Sequence, residues 1–256
     1  MKYFEVHLVE HCNLKCQSCD NFSAIAEEEF ISEDVFVRDM KRMSELFSID
    51  WLRLLGGEPL LHPNINFFLE KAREFFPLSE IRLTTNGILL KDMPEEFWQC
   101  CGENDIIIEI THYPINIHEN EFVPMGEKYG VNMIYFDNEP PVEKYSHRNP
   151  VNDKGNQDIE FNFKHCYQVH RCMSLKDGKI YPCTCIPNIY HFNKFFNKNI
   201  PVSEQDYIEI THTAEEIDEF LNKPVPFCAY CNVKNRTGGK LWAVSKKELE
   251  EWFDEE

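Results

Sequence analysis

The sequence lacks any long apolar run and is short of positive charge. None of its hydrophobic stretches approaches the roughly 18 residues of a membrane-spanning helix, and a single Lys precedes the first strand-like segment, without the pattern of a signal peptide. With 26 basic against 44 acidic side chains, the 256 residues carry a formal net charge of −18. Such a charge repels nucleic acid and anionic membranes. We therefore expect a cytoplasmic protein with neither as a partner.

Cysteine, in contrast, is abundant. Eleven cysteines occur in a chain that is 43% hydrophobic, and in a reducing compartment grouped cysteines indicate metal or redox ligands rather than disulfides. They form four groups: Cys12, Cys16 and Cys19; Cys100 and Cys101; Cys166, Cys172, Cys183 and Cys185; Cys228 and Cys231. The adjacent pair Cys100-Cys101 is typical of buried apolar positions, and we assign it no role. The other groups are candidate ligand sets.

Strand-like runs alternate with helical patterns over the first half of the chain, which predicts βα units and a parallel sheet. The predicted strands are 3–9, 51–55, 80–84, 106–110 and 131–136. Ser32 and Asn64 are predicted to cap the helices between the first three strands, and Pro94 to stand in the first turn of the next helix. The first of these helices carries Phe36, Met40, Met43 and Phe47 on one face.

After the last predicted strand of the sheet, strand-like and helical patterns no longer alternate. Residues 138–164 contain Pro140, Pro141, Pro150 and Gly155 and are predicted to be an irregular linker. Asp177-Gly178 then indicates a two-residue hairpin between 171–175 and 179–182. Ser245 and Glu248 form a predicted capping box before a short terminal helix with Leu249 and Trp252. The predicted domains are a core of 1–137, the linker 138–164 and a small domain of 165–256.

Cys12, Cys16 and Cys19 follow the first predicted strand, where loops at the carboxyl edge of a parallel sheet build functional sites. Three thiolates can hold three irons of a 4Fe-4S cluster and leave the fourth iron open to a small molecule. The alternative is a structural zinc loop that borrows a fourth ligand such as His11.

The C-x3-C-x2-C spacing after the first strand resembles the signature of the radical S-adenosylmethionine (SAM) superfamily. Gly56-Gly57-Glu58-Pro59 after the second strand is similar to the GGEP segment that meets the amino group of SAM in that family. Two glycines let a backbone approach a ligand, and a carboxylate can pair with an ammonium. Ser18 stands where many members have an aromatic residue near the adenine, and Phe22 is a candidate substitute. The resemblance implies an α/β fold with a partial (β/α)6, TIM-like barrel.

Polar residues end the next two strands, in Thr84-Thr85-Asn86-Gly87 and in Glu109-Ile110-Thr111-His112. By the resemblance, Thr85, Asn86 and Thr111 line the SAM and substrate site, and His112 contacts substrate or SAM. The alternative is that these residues terminate strands and cap helices.

Cys166-x11-Gly178-x4-Cys183 followed by Cys228-x2-Cys231 resembles the twitch domain, a short form of the SPASM domain. The resemblance implies a small α+β domain in which Cys166, Cys183, Cys228 and Cys231 hold an auxiliary 4Fe-4S cluster. A four-thiolate zinc site is the alternative. Cys172, opposite Cys183 in the predicted hairpin, competes with Cys166 as a ligand. Cys185 is a spare thiol, a neighbour of the cluster or a hydrogen-atom donor.

The resemblance further implies an enzyme that cleaves SAM to a 5′-deoxyadenosyl radical, which abstracts hydrogen from substrate in a dry site. A fully ligated auxiliary cluster would accept the substrate's electron, as in the twitch-bearing dehydrogenases of aminocyclitol biosynthesis, and flavodoxin or ferredoxin would be the electron donor. We expect a small polar substrate such as a sugar, aminocyclitol or glycan precursor, because no leader-binding domain fits before the first strand. Alternatives are an epimerase in which Cys172 or Cys185 donates hydrogen, a peptide-modifying maturase, and a non-enzymatic iron-sulfur carrier.

Overall fold

The computed structural model describes residues 3–136, 143–169 and 171–255. They form two compact units, the first from residues 1–9 and 30–144 and the second from 10–29 and 145–256. The three-cysteine loop, within 10–29, therefore groups with the C-terminal part of the chain, whereas the sequence analysis placed it with the first 137 residues. None of the helices in the described ranges has the length and apolarity that a membrane crossing requires.

A parallel sheet forms the centre of the first unit. Its strands, in the spatial order β5-β4-β3-β2-β1, are β1 (Tyr3–Val9), β2 (Trp51–Gly56), β3 (Glu80–Thr85), β4 (Ile106–Ile110) and β5 (Met133–Tyr135). The predicted α/β fold with a parallel sheet is confirmed. The described residues of this unit contain these five parallel strands, whereas a (β/α)6 barrel would have six.

Helices follow the strands of the first unit: α1 (Glu33–Leu46), α2 (Ile65–Phe75), α3 (Glu95–Glu103) and α4 (Glu119–Tyr129). The Ser32 hydroxyl accepts a hydrogen bond from the Val35 N–H, as predicted for a cap. Asn64 precedes α2, but its side chain donates to Glu33 instead of capping, and Pro94 is the cap residue of α3 rather than part of its first turn. Helix α4 was not predicted, because Pro124 lies inside it and interrupts its pattern.

The two faces of this sheet differ in chemistry, because alternate side chains of a strand point to opposite faces. Phe4, Leu52, Leu54, Leu83 and Ile108 are fully buried, as are Phe36, Met40 and Phe68 of the helices. The opposite face carries Glu5, Arg53, Arg82 and Glu109 at the middle of the strands. One face is therefore an apolar core, and the other presents charged groups.

The second unit is built from short elements. Its strands are β6 (Tyr145–Arg148), β7 (Ser174–Lys176), β8 (Lys179–Tyr181), β9 (Ile208–Glu209) and β10 (Thr237–Leu241), and its helices are α5 (Ile159–His165), α6 (Cys185–Phe196) and α7 (Ala214–Leu221). Strand β6 pairs with β10, and β8 pairs with β7 and β9, all antiparallel. The linker prediction was wrong for β6 and for α5, which Asp158 caps. Its residues 138–142 lie outside the described ranges.

The hairpin between β7 and β8 turns at Asp177 and Gly178, which both have positive φ, +50° and +73°, as the sequence predicted. Pairing ends at Ser174 and Tyr181, so the ladder stops before Cys172 and Cys183. The prediction that Ser245 and Glu248 form the terminal capping box was wrong. Glu248 and Glu251 form a capping box around a short 3-10 turn, Leu249–Glu251, because the Ser245 N–H donates instead to the Lys15 carbonyl at 2.8 Å.

Candidate functional site

Cys12, Cys16 and Cys19 lie on an irregular loop of the second unit, and each residue is partly exposed, although the Cys19 thiol itself is buried. The Leu14 N–H donates to the Cys12 Sγ at 3.4 Å, and backbone groups of Ser23 and Asn21 hydrogen-bond to the Cys19 thiol. Burial, together with the neighbouring Cys16 thiol, raises the pKa of Cys19 to about 12. A thiolate here requires a nearby positive charge, which an iron centre supplies.

A segment near the C-terminus holds this loop along its length. The Gln17 N–H donates to the Ala243 carbonyl at 2.9 Å, and Cys16 forms an antiparallel bridge with Val244. The indole Nε1–H of Trp252 donates to the Cys19 carbonyl at 3.0 Å. We call residues 243–252 the clasp. Sequence patterns gave no sign of it, because these contacts join residues more than 220 positions apart in sequence.

Two further loop residues were candidates for adenine contact. Ser18 has a left-handed backbone, φ +56°, and its N–H donates to the Glu251 carboxylate at 3.4 Å. Phe22, the candidate substitute, is buried, with its ring 5.8 Å from that of Phe192 and 6.4 Å from that of Trp252. Within the second unit Phe22 is thus a core residue.

The GGEP segment belongs to the first unit. The Gly57 N–H donates to the Val9 carbonyl at 2.7 Å, and a Cβ on Gly56, whose φ is +148°, would lie 2.0 Å from that same oxygen. Only glycine fits at position 56. Pro59 opens a single 3-10 turn, Pro59–Leu61.

Glu58 is completely buried, and its carboxylate faces donors of its own unit. It accepts from the Thr85 hydroxyl at 2.6 Å, from the Asn86 N–H at 2.9 Å and from the Leu60 N–H at 3.2 Å. Burial raises the pKa of Glu58 to about 7 against these hydrogen bonds. The carboxylate therefore ties the Gly-Gly turn to the end of β3, which makes it a positioning group.

The predicted residues at the ends of β3 and β4 also shape the backbone. The Thr85 hydroxyl accepts from the Gly87 N–H at 3.0 Å, and Asn86 Oδ1 accepts from the Ile88 N–H at 3.0 Å. The Thr111 N–H donates to the Thr85 carbonyl at 2.8 Å. These contacts bring Thr85, Asn86, Thr111 and Glu58 together at the carboxyl ends of neighbouring strands.

His112 follows at the same strand end. Its ring packs edge-on to Tyr135 at 6.0 Å between centroids, and its Nδ1 is buried without a hydrogen-bond partner among the described residues. A buried, unpaired ring nitrogen is costly unless a bound molecule supplies a partner. This observation fits a ligand contact for His112.

Sequence reasoning missed a charged layer on the same sheet. The Arg53 guanidinium lies 2.8 Å from Glu5 and 3.1 Å from Glu109, and Arg82 donates to Glu109 at 2.7 Å. Arg53 and Arg82 also stand over the Trp51 ring, at 4.8 and 5.0 Å. The sequence contains the pattern that could have predicted this layer, because the charged residues alternate with apolar residues along the predicted strands and so lie on one face of the sheet.

Five cysteines come together in the second unit: Cys166, Cys183, Cys185, Cys228 and Cys231. Cys166 is the cap residue at the end of α5, and Cys185 begins α6, two residues after Cys183. Cys228 lies in a 3-10 turn, Pro226–Tyr230, and Cys231 follows it. Burial raises the pKa of Cys183 well above its usual range, and the thiols of Cys166 and Cys231 raise it further. The four predicted ligands of an auxiliary cluster are thus neighbours.

Backbone donors surround these thiols. Gln168 and Val169 hydrogen-bond to Cys166, and Ile186 hydrogen-bonds to Cys183, each of which favours the thiolate. Such bonds are the usual surroundings of iron-bound sulfur. The donor set therefore fits a 4Fe-4S cluster.

Cys185 is the additional member. The Cys231 thiol donates to its sulfur and lowers its pKa, while burial and Cys183 leave that pKa raised overall. A cavity of about 20 Å³ is walled by Cys166, Cys185 and Cys231 together with Asp20, the residue after Cys19. The end of the three-cysteine loop therefore adjoins the five-cysteine group.

Over the described ranges, no three His, Cys, Asp or Glu side chains lie close enough to hold a single metal ion. The thiolates around one zinc ion all bind that ion at about 2.3 Å, whereas the thiolates of a 4Fe-4S cluster bind different irons and lie further apart.

Comparison with known proteins finds a family match over part of the chain. Residues 6–117 match the model of the radical SAM superfamily. The GTP 3′,8-cyclase of Aliarcobacter butzleri (strain RM4018) is 35% identical over 98 residues, which cover 37% of this chain and 30% of the relative. That of Trichodesmium erythraeum (strain IMS101) is 29% identical over 101 residues, covering 38% and 31%. The chain thus spans about a third of the length of these curated relatives.

A solved structure matches over more of the chain. BtrN in complex with AdoMet and 2-DOIA has a TM-score of 0.54 at 18% identity, covering 91% of this chain and 93% of BtrN. At that identity the similarity concerns the fold. Residues 6–117 are therefore similar to the radical SAM superfamily, in a chain whose fold is similar to that of BtrN.

Proposed function

We propose that this chain is a radical SAM enzyme that abstracts a hydrogen atom from a small polar substrate and oxidises it. The observation that carries the proposal is the combination of a radical SAM domain with a second, buried cysteine group. A three-cysteine loop leaves an iron open for SAM, and a four-cysteine set closes a second cluster to ligands. The first arrangement suits radical generation, and the second suits electron transfer.

Cys12, Cys16 and Cys19 would hold the first 4Fe-4S cluster, and SAM bound there supplies a 5′-deoxyadenosyl radical when it is reduced. Gly56, which has no side chain, lets the Gly-Gly turn pack against the Val9 carbonyl at the end of β1. Glu58 holds this turn in place through Thr85 and Asn86. The unpaired Nδ1 of His112 contacts the substrate and orients it.

Cys166, Cys183, Cys228 and Cys231 would hold the auxiliary 4Fe-4S cluster. Dehydrogenation needs an acceptor for one electron after hydrogen abstraction, and a fully ligated cluster provides one. The substrate is a sugar, an aminocyclitol or a glycan precursor. BtrN, which has a similar fold and was solved with AdoMet and 2-DOIA, supports a small-molecule substrate.

Nucleotide cyclisation is a second candidate, since the sequence relatives are GTP 3′,8-cyclases. Their similarity covers about 100 residues, 37–38% of this chain, so it supports shared radical chemistry more than a shared substrate. Product mass separates the candidates. Dehydrogenation removes two hydrogens and cyclisation keeps the mass, while epimerisation gains deuterium from deuterated water. Cys185 accepts a hydrogen bond from the Cys231 thiol and lies within the cysteine group, which favours a neighbour of the cluster over a hydrogen-atom donor.

The decisive experiment is SAM cleavage by the anaerobically reconstituted protein with dithionite. We expect 5′-deoxyadenosine from the intact chain, none from Cys16→Ala, and full yield from Cys100→Ala, a cysteine to which we assign no role. An iron-loaded chain that releases no 5′-deoxyadenosine would be an electron carrier. Zinc in place of iron at the three-cysteine loop would also refute the proposal.

A further inference from the structure

Charge along the chain reverses around the second cysteine group. Residues 161–176 and 220–247, which contain Cys166, Cys172, Cys228 and Cys231, include nine Lys and Arg and no Asp or Glu. The complete chain has 44 acidic against 26 basic side chains. Two segments that are distant in sequence are thus each net positive, whereas the remainder of the chain is net negative.

The fold brings these two segments together on one surface of the second unit. The Arg236 guanidinium lies 4.1 Å from the centre of the Tyr167 ring, and Arg171 lies 5.9 Å from the same ring. Beside them Lys234 stands 4.9 Å over Phe161, whose ring stacks on His165 at 4.2 Å. We call Phe161, His165, Tyr167, Arg171, Lys234 and Arg236 the basic patch.

The basic patch is exposed. Tyr167 has 37% of its surface accessible, and Arg171, Lys234 and His165 are exposed as well. Each cation near an aromatic ring is partly ordered by it. The result is a surface with positive charge and flat rings, which are the side chains favoured at protein interfaces.

The patch also lies next to the cysteines. Tyr167 follows Cys166 in the chain, and Arg236 is close enough to act electrostatically on both Cys166 and Asp20. Cys166 and Cys231 are partly exposed, whereas Cys183, Cys185 and Cys228 are buried. The cysteine group therefore comes nearest to solvent where the positive charge is concentrated.

We propose that the basic patch is the docking surface of an acidic one-electron carrier protein. The inference rests on the proposed function. Dehydrogenation removes two hydrogen atoms: one leaves with 5′-deoxyadenosine, and the other leaves as a proton and an electron. The electron passes to the second cysteine site and from there to the oxidised carrier, which is reduced by one electron. The carrier must approach this site closely, and the patch is the charged surface beside it.

Charge explains why a carrier needs such a surface. An acidic protein is repelled by a molecule of net charge −18, and opposite charge confined to one surface directs it there. Nucleic acid would require neutralisation of many phosphates, for which the patch is small. A carrier protein is therefore the partner that the patch fits.

The test is binding of an acidic flavodoxin, in its oxidised form, to the iron-loaded chain by surface plasmon resonance at several salt concentrations. We expect Arg171→Glu/Arg236→Glu to lower the association rate by about tenfold and to flatten its salt dependence. Arg171→Lys/Arg236→Lys, which keeps the charge, should bind as the parent does. Lys41→Glu/Lys91→Glu, an equal charge change on exposed positions of the first unit, should lower the rate only slightly.

Each outcome decides the matter. Equal losses in the patch and control variants would show that only net charge counts, and unchanged binding in the patch variant would place docking elsewhere; either overturns the proposal. Binding of a short DNA duplex in place of flavodoxin would overturn it too. Circular dichroism and iron content must match the parent, and if they do not, Lys234→Glu alone is measured. SAM cleavage by the parent with dithionite tests the proposed function separately, because it needs no carrier.

Discussion

The Trp252 indole N–H donates to the carbonyl of Cys19 at 3.0 Å, which joins the third cysteine of the loop to the clasp. Trp252 is almost completely buried, with its ring near those of Phe22 and Phe196. The same ring lines the small cavity shared with Cys166 and Cys185. One side chain therefore contacts the three-cysteine loop and borders the second cysteine group.

Trp252→Phe should loosen the three-cysteine loop. The Cys19 carbonyl keeps its hydrogen bond from the Phe22 N–H but loses the one that ties it to the clasp. That loss costs about 1 kcal/mol, so the open form of the loop should become roughly fivefold more populated. We expect iron to be lost faster from this loop. The measurement is iron retention after gel filtration in a Cys183→Ala/Cys228→Ala background, where only the loop is expected to hold a cluster.

The matched control is Trp98→Phe. Trp98 is equally buried but belongs to α3 of the first unit. Its replacement should lower overall stability and leave iron retention unchanged. Equal iron loss in the two variants would mean that the Trp252 effect is general destabilisation.

Within the five-cysteine group, we expect four cysteines to bind the auxiliary cluster and Cys185 to lie beside it without binding iron. Alanine at Cys183 or Cys228 should reduce iron from about eight to about four atoms per chain, because a 4Fe-4S cluster needs its full set of thiolates. Alanine at Cys185 or Cys172 should leave about eight. Iron and sulfide analysis of the anaerobic proteins decides, and a loss of four irons in Cys172→Ala would replace Cys166 by Cys172 in the ligand set.

Glu58 makes stability depend on pH. In the folded protein burial raises its pKa to about 7 from an ordinary value of 4.5, so between these values the unfolded chain binds fewer protons than the folded one. Stability from this group therefore falls as pH rises from about 4.5 to 7. Glu58→Gln should remove the effect, and its unfolding free energy relative to the parent should rise by roughly 3 kcal/mol across that interval. Urea denaturation at several pH values measures it. A constant difference would mean that Glu58 stays ionised.

The charged layer predicts an asymmetry between two carboxylates. Glu109 has 2% of its side chain exposed and pairs with both Arg53 and Arg82, so Glu109→Gln should destabilise the first unit by roughly 3 kcal/mol. Glu80, 41% exposed, pairs with Arg82 at the outer end, and Glu80→Gln should cost less than about 1 kcal/mol. Urea denaturation compares them, and equal costs would show that the layer is well hydrated.

The parallel sheet could be predicted because its signals are local. Strands β1 to β4 were placed within about one residue at each end, since each carries apolar side chains at alternate positions over a short run. Helix α4 was not predicted because Pro124 interrupts its sequence pattern. The predicted terminal helix is a 3-10 turn, because the Ser245 N–H donates to the Lys15 carbonyl instead of taking part in a capping box. Local patterns carry no information about such distant partners.

The site shows the same limit. The spacing of the cysteines, by its resemblance to a known family, predicts Cys12, Cys16, Cys19 and the four auxiliary cysteines as ligands, because iron-sulfur ligands recur at recognisable intervals. It could not show that Cys185 joins the second group or that the Glu58 carboxylate faces Thr85 and Asn86. Both depend on the side-chain directions that tertiary packing imposes.

The clasp has a consequence for how the protein matures. Trp252 and Cys19 are 233 positions apart, so the thiols of a nascent chain emerge from the ribosome long before the clasp that supports their loop. Iron delivered at that stage would meet an unformed loop. The supported form of the loop can therefore arise only after Trp252 has been synthesised, and we expect stable insertion of a cluster to follow that point.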